Sequence, residues 1–123
     1  TTSTGTITSA GLLTASSGLT VSDGKTVLSS VTITENANGT LTSGKTIYFI
    51  SPTTGSSVTW NMPAESIAGT IVYIYYKIFN GSSQLTLQQN NGAALKAFTS
   101  SKSVGAILIY NGTIWNLICW NEY

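Results

Sequence analysis

From residue 69 to 79 the chain reads Gly-Thr-Ile-Val-Tyr-Ile-Tyr-Tyr-Lys-Ile-Phe. At a period of two, Val72, Ile74, Tyr76 and Ile78 share one face, and Ile71, Tyr73, Tyr75 and Lys77 share the other. Such alternation predicts a strand with two apolar faces. Further strands are predicted over 46–50, 57–62, 85–89, 104–110 and 113–120, each a short run rich in Val, Ile, Leu, Thr and aromatic residues. Pro63 ends the second of these, because proline removes a ladder donor. Residues 64–68 suggest a short helical turn, and no long amphipathic helix is predicted. In the last strand Trp115, Leu117 and Cys119 fall on one face, with Ile114, Ile118 and Trp120 on the other. A one-sided sheet would carry polar residues on its outer face. Here a second sheet, a stem or a neighbouring subunit must cover that face.

Asn38-Gly39, Asn80-Gly81 and Asn111-Gly112 each separate apolar runs. Asn-Gly favours two-residue hairpins, since both residues tolerate positive φ. Asn111-Gly112 is the clearest case, joining 104–110 to 113–120. The same three sites match the N-x-[ST] glycosylation pattern, which turn chemistry already explains.

Composition divides the chain near Gly44. Residues 1–43 are Thr/Ser/Gly-rich, and all Trp, Tyr and Phe lie beyond. The expected organisation is a fibre-like stem over 1–43 and a globular head over 44–123. The stem contains an echo: Gly18-Leu-Thr-Val-Ser-Asp-Gly-Lys-Thr-Val is answered by Gly39-Thr-Leu-Thr-Ser-Gly-Lys-Thr-Ile. Strands this thin need neighbours to bury their apolar residues. Val21, Val27, Val31 and Ile33 of the stem, with Tyr73 and Tyr75 of the head, are therefore the expected contacts of a homotrimer.

Charged residues make up 7% of the chain, and the formal net charge is +1. Arg and His are absent and the five Lys are dispersed. No clustered cations point to nucleic acid. No run nears the ~18 apolar residues of a membrane-spanning helix. Without His, neither a nucleophile–base pair nor metal ligation is supported, so no enzyme, metal or cofactor is expected. Cys119, alone and within an apolar run, reads as a buried free thiol. Residues 39–46 match the phosphate-loop pattern G-x-x-x-x-G-K-[ST], but a strand rather than a helix is predicted after them, so the match is accidental.

The head resembles small C-terminal domains of phage and virus fibres and related bacterial adhesive fibres. Trp60-Asn-Met-Pro63, Gly69-Thr-Ile-Val-Tyr-Ile and Asn80-Gly-Ser-Ser-Gln-Leu-Thr-Leu carry the likeness weakly. Val104-Gly-Ala-Ile-Leu-Ile-Tyr110-Asn111-Gly112-Thr113-Ile-Trp115 carries it best, as the closing hairpin. The resemblance covers about two-thirds of the chain. It implies an all-β homotrimer: a short stem, then a small antiparallel β-sandwich head at a fibre tip on a virion or cell surface. The implied role is non-catalytic binding of a cell-surface glycan or protein. The alternatives are a bacterial adhesive tip and a purely structural trimerising cap. Expected ligand contacts are exposed aromatics and amides near loops: Trp60, Asn80, Gln84, Asn90 and Asn91. Trp115 is expected in the core, whereas Trp120 and Tyr123 suit a subunit contact or a sugar platform.

Overall fold

The computed structural model describes residues 10, 28–79 and 83–123. The expected contacts Val21, Val27 and Asn80 lie outside them, as does the first copy of the echo. The described chain is all-β. Its strands are β1 (Ser30–Ile33), β2 (Gly39–Thr40), β3 (Ile47–Ile50), β4 (Val58–Asn61), β5 (Ile71–Tyr76), β6 (Leu85–Gln88), β7 (Ala94–Ala97), β8 (Val104–Tyr110) and β9 (Trp115–Glu122). They form a five-stranded sheet ordered β1-β3-β5-β8-β9 and a four-stranded sheet ordered β2-β4-β6-β7.

Successive strands from β1 to β6 alternate between the sheets. Each of β3 to β6 lies parallel beside the strand two before it. Only the last pairings, β6–β7, β5–β8 and β8–β9, are antiparallel. The expected antiparallel head is therefore corrected to two mixed sheets. Period-two alternation is common to both kinds of ladder, so it could not tell them apart. The pattern resembles a flattened coil of chain closed by antiparallel strands.

Strands β1 and β2 both precede Gly44, yet each is hydrogen-bonded into a sheet. Residues 30–40 thus share a core with strands β3 to β9. That core joins Ile33, Tyr48, Ile50, Val72, Ile74, Tyr76, Val104, Ala106 and Leu108 of the larger sheet to Val58, Trp60, Leu85 and Leu87 of the smaller. Ile33 is buried and Val31 packs partly against the cluster. Both face their own chain's core. Buried hydroxyls are satisfied: Tyr48 donates to the Thr42 carbonyl at 2.7 Å and Tyr76 to Ser83 Oγ at 2.6 Å. Burial raises the pKa of both phenols, so both remain donors.

Local chemistry differs from expectation at four places. Residues 64–68 form no helical turn; Glu65 Oε1 accepts the Ser66 and Ile67 N–H groups instead. Asn38-Gly39 is not a hairpin, since Asn38 Oδ1 accepts the Thr59 N–H and Gly39 enters β2. The β8–β9 connection is longer than two residues: Tyr110 pairs with Trp115 and Asn111 N–H bonds to the Ile114 carbonyl. Asn111 Oδ1 accepts the N–H groups of Thr113 and Ile114, and Gly112 alone takes positive φ there, at 100°. Finally, a bulge at Ile118 shifts the β8–β9 register, so that Cys119 opposes Ile107 and Trp120 opposes Ala106. The bulge turns Cys119 outward, and its thiol is exposed rather than buried.

Two glycines test this geometry. A Cβ on Gly39 would lie 2.7 Å from Trp60 Cζ3, inside the core. Gly39→Ala should cost about 1–3 kcal/mol through overpacking. Gly112→Val should cost a similar ~1–3 kcal/mol, because a β-branched residue is strained at that φ. Chemical denaturation followed by tryptophan fluorescence checks both. Unchanged midpoints would show that neither contact is as tight as described.

Candidate functional site

Two surfaces carry chemistry. The first is the outer face of the larger sheet. Opposed residues run across it in rows: Ser30, Ile47, Tyr73, Ile107 and Cys119 form one, and Thr32, Phe49, Tyr75, Gly105 and Asn121 another. A third pairs Ile71, Ile109 and Asn116. Phe49, Ile71, Tyr73 and Tyr75 are each 36–41% exposed. Phe49 and Tyr75 meet edge to face with ring centroids 6.3 Å apart. Gly105 leaves a gap in its row, where a Cβ would meet nothing within 4 Å. Around it lies a mostly apolar groove of about 310 Å³, bounded by Tyr73, Tyr75, Ile107, Cys119 and Trp120. The inner parity of β5 fills the core, so this outer parity has no partner within the described chain.

The second surface is a polar pocket of about 210 Å³ at one end of the sheets. Three connections converge on it: 62–70 between β4 and β5, 89–93 between β6 and β7, and 111–114 between β8 and β9. Trp115 fixes their meeting point. Its ring is buried and its Nε1–H donates to the Pro63 carbonyl at 3.0 Å. Its backbone N–H donates to Gln89 Oε1 at 2.9 Å, and its carbonyl accepts from Gln89 Nε2 at 2.8 Å. Tyr110 leans on the indole with centroids 5.4 Å apart. Glu65, Asn90, Asn91, Thr113 and Ile114 complete the wall. Asn90 Nδ2 donates to the Met62 carbonyl at 3.2 Å, and Asn91 Oδ1 accepts the Ala93 N–H at 3.0 Å.

The expected ligand residues scatter. Asn90 and Asn91 line the pocket together. Trp60 is 7% exposed on β4, and its Nε1 has no partner among the described residues. Its expected role as an exposed platform is corrected: the bare backbone of Gly39 admits its ring to the interior. Gln84 is committed to scaffolding, its amide donating to the Phe98 carbonyl and its N–H to Ser57 Oγ. Sequence reasoning missed Glu65, Thr113 and Ile114 as pocket residues. The turn signals around 63–69 and 111–113 marked loops, but not their convergence. Away from the pocket, Trp120 is half-exposed, with Lys96 Nζ 4.8 Å from its ring centroid, a cation–π contact.

Two carboxyls sit below the ordinary glutamate value. Glu65 is lowered by the Ser66 N–H first, then the Ile67 N–H. Glu122 is lowered first by the Thr99 hydroxyl, then by the Thr99 N–H, with Lys96 and Lys102 adding less. A depressed pKa contributes stability above the unfolded value, and that contribution is lost as pH falls through the folded value. Thermal stability should therefore hold above the ordinary glutamate value of about 4.3 and decline below it. A Glu65→Gln, Glu122→Gln double variant should lose most of that decline in thermal melts across acidic pH. An unchanged decline would place the acid-sensitive groups elsewhere.

No protein-family model matches the chain, and no curated protein sequence matches it.

Proposed function

We propose that this chain is the receptor-binding or adhesive tip of a homotrimeric fibre, displayed on a virion or cell surface and acting without catalysis. The observation that carries this reading is the outer face of the larger sheet. A continuous patch containing Phe49, Ile71, Tyr73 and Tyr75 is costly to leave in water and marks a surface made for another protein. Its richness in Tyr, with no charged residue among its opposed rows, suits an interface core. Three copies turned about one axis would cover three such faces, and closed symmetry would stop growth there. The two sheets then form the sandwich head, and the Thr/Ser-rich residues upstream supply the stem. The pocket, at the loop end of the sheets, stays free to meet a cell-surface glycan or protein. The likeness of the 104–115 segment to fibre-tip hairpins supports the same reading.

Light scattering should give three times the chain mass. Tyr73→Lys with Tyr75→Lys should give folded monomers, since neither side chain belongs to the core. Cys119 supplies an independent probe. Its exposed thiol lies in the central row of the face, opposite Ile107. Maleimide labelling should be slow in the assembled wild type and fast in the double variant. A monodisperse wild-type monomer with a rapidly labelled Cys119 would overturn the trimer.

A further inference from the structure

We infer that the pocket between Tyr110, Ile114, Glu65, Asn90, Asn91 and Thr113 is a subsite for one neutral pyranose ring, so that the ligand of the proposed tip is a glycan without acidic sugars at that position. The inference rests on the receptor-binding reading and narrows it to a ligand class.

Size comes first. The pocket's 210 Å³ is below the roughly 300–1,000 Å³ of drug-sized sites, and a single small ring fits it better than a peptide segment. Chemistry comes second. Glu65, Asn90, Asn91 and Thr113 line it beside Tyr110 and Ile114. Glu65 offers carboxylate acceptors. Asn90 uses Nδ2 on Met62, which leaves its Oδ1 as an acceptor. Asn91 uses Oδ1 on Ala93, which leaves its Nδ2 as a donor. The Thr113 hydroxyl can do either. A closely spaced set of acceptors and donors matches a ring bearing adjacent hydroxyls, each both donor and acceptor. Tyr110 and Ile114 provide apolar surface for its C–H face.

Charge comes third. Backbone N–H groups hold the Glu65 carboxyl below its ordinary value, so it is ionised at neutral pH. Among the described residues no Lys lines the pocket. A sialic acid or uronic acid would bring a second carboxylate beside Glu65 with no cation to offset it. Rigidity comes last. Gln89, Asn91, Asn111 and Glu65 each brace one of the converging turns, so little ordering would be required on binding.

The test is an amide chemical-shift titration of the assembled protein with methyl glycosides of galactose, glucose, mannose and N-acetylglucosamine, and with sialyllactose. At least one neutral glycoside should shift Asn90, Asn91 and Ile114 saturably, with Kd on the order of 1 mM. Sialyllactose should leave those signals unmoved unless its inner hexose competes, which desialylated lactose reveals. Glu65→Gln keeps an oxygen able to accept the turn N–H groups but removes the charge, and should weaken binding roughly tenfold. Asn91→Asp keeps the turn acceptor, removes the free donor, and should do the same. No shift from any neutral glycoside up to about 50 mM would overturn the subsite. So would tighter binding of the sialic acid ring. The tip reading is tested separately. Attachment of wild type to cells with no effect of either variant rejects the pocket and leaves the tip standing. Wild type that attaches to no cell surface rejects the tip, while the titration still reports on the pocket.

Discussion

The arrangement depends above all on how Trp115 is held. Its indole lies in the common core, its N–H reaches the Pro63 carbonyl, and its backbone is bonded at both polar groups to one side chain, Gln89. Pro63 lies just beyond β4 in the smaller sheet, Gln89 just beyond β6 in the same sheet, and Trp115 opens β9 in the larger one. One residue therefore ties both sheets and three connections together at one end. A buried polar group without a partner would cost about 1–3 kcal/mol, so each of these bonds constrains the loop that supplies the partner of Trp115. The pocket exists because those loops are drawn to one point, and its walls are stiff for the same reason.

The winding of the chain explains the two surfaces. Because strands alternate between sheets through β6, each inner face is assembled from residues distant in sequence, and every strand from β3 to β6 spends one parity on the shared core. In the smaller sheet the other parity is largely polar, with Thr59, Asn61, Thr86 and Gln88 half-buried. In the larger sheet it is Phe49, Ile71, Tyr73, Tyr75, Ile107 and Ile109. Two sheets of one small chain thus end with opposite characters outward. The asymmetry is written strand by strand, which makes it a property of the sequence rather than an accident of one loop.

Much of this is legible in the sequence. Alternation alone separates the two parities of β5, and the apolar neighbours of Trp115 place it in the core. Most strands of the second half fall within a few residues of their expected bounds. Each departure has a physical cause. Parallel pairing is invisible because side-chain alternation is the same in either direction. Strand β7, Ala94-Leu-Lys-Ala, has few β-favouring residues and is held by its neighbour β6 and its place at the sheet edge. Cys119 turns outward because one extra residue at Ile118 reverses the parity of everything after it. Trp60 turns inward because the room for its ring is made by a glycine twenty-one positions earlier, Gly39, opposite it in register. The division at Gly44 rests on aromatic content. The strands β1 and β2 carry no aromatic residue, whereas β3 and β4 beside them do, so the change in aromatic content does not mark where the shared core begins.

The two sides of the molecule end in different ways. At one side, β7 of the smaller sheet and β9 of the larger come together: Lys96 lies over Trp120, and Thr99 bonds through its N–H and hydroxyl to Glu122. The bulge at Ile118 matters here as well, because it rotates Trp120 and Glu122 toward β7 while sending Cys119 outward. At the other side, β1 and β2 are the first strands of the described coil, and among the described residues each pairs along one edge only. An unpaired strand edge invites another strand, whereas a side latched by side chains discourages one. Among the described residues, the side latched by side chains belongs to the last strands. This difference between the two sides arises from the order in which the strands are laid down.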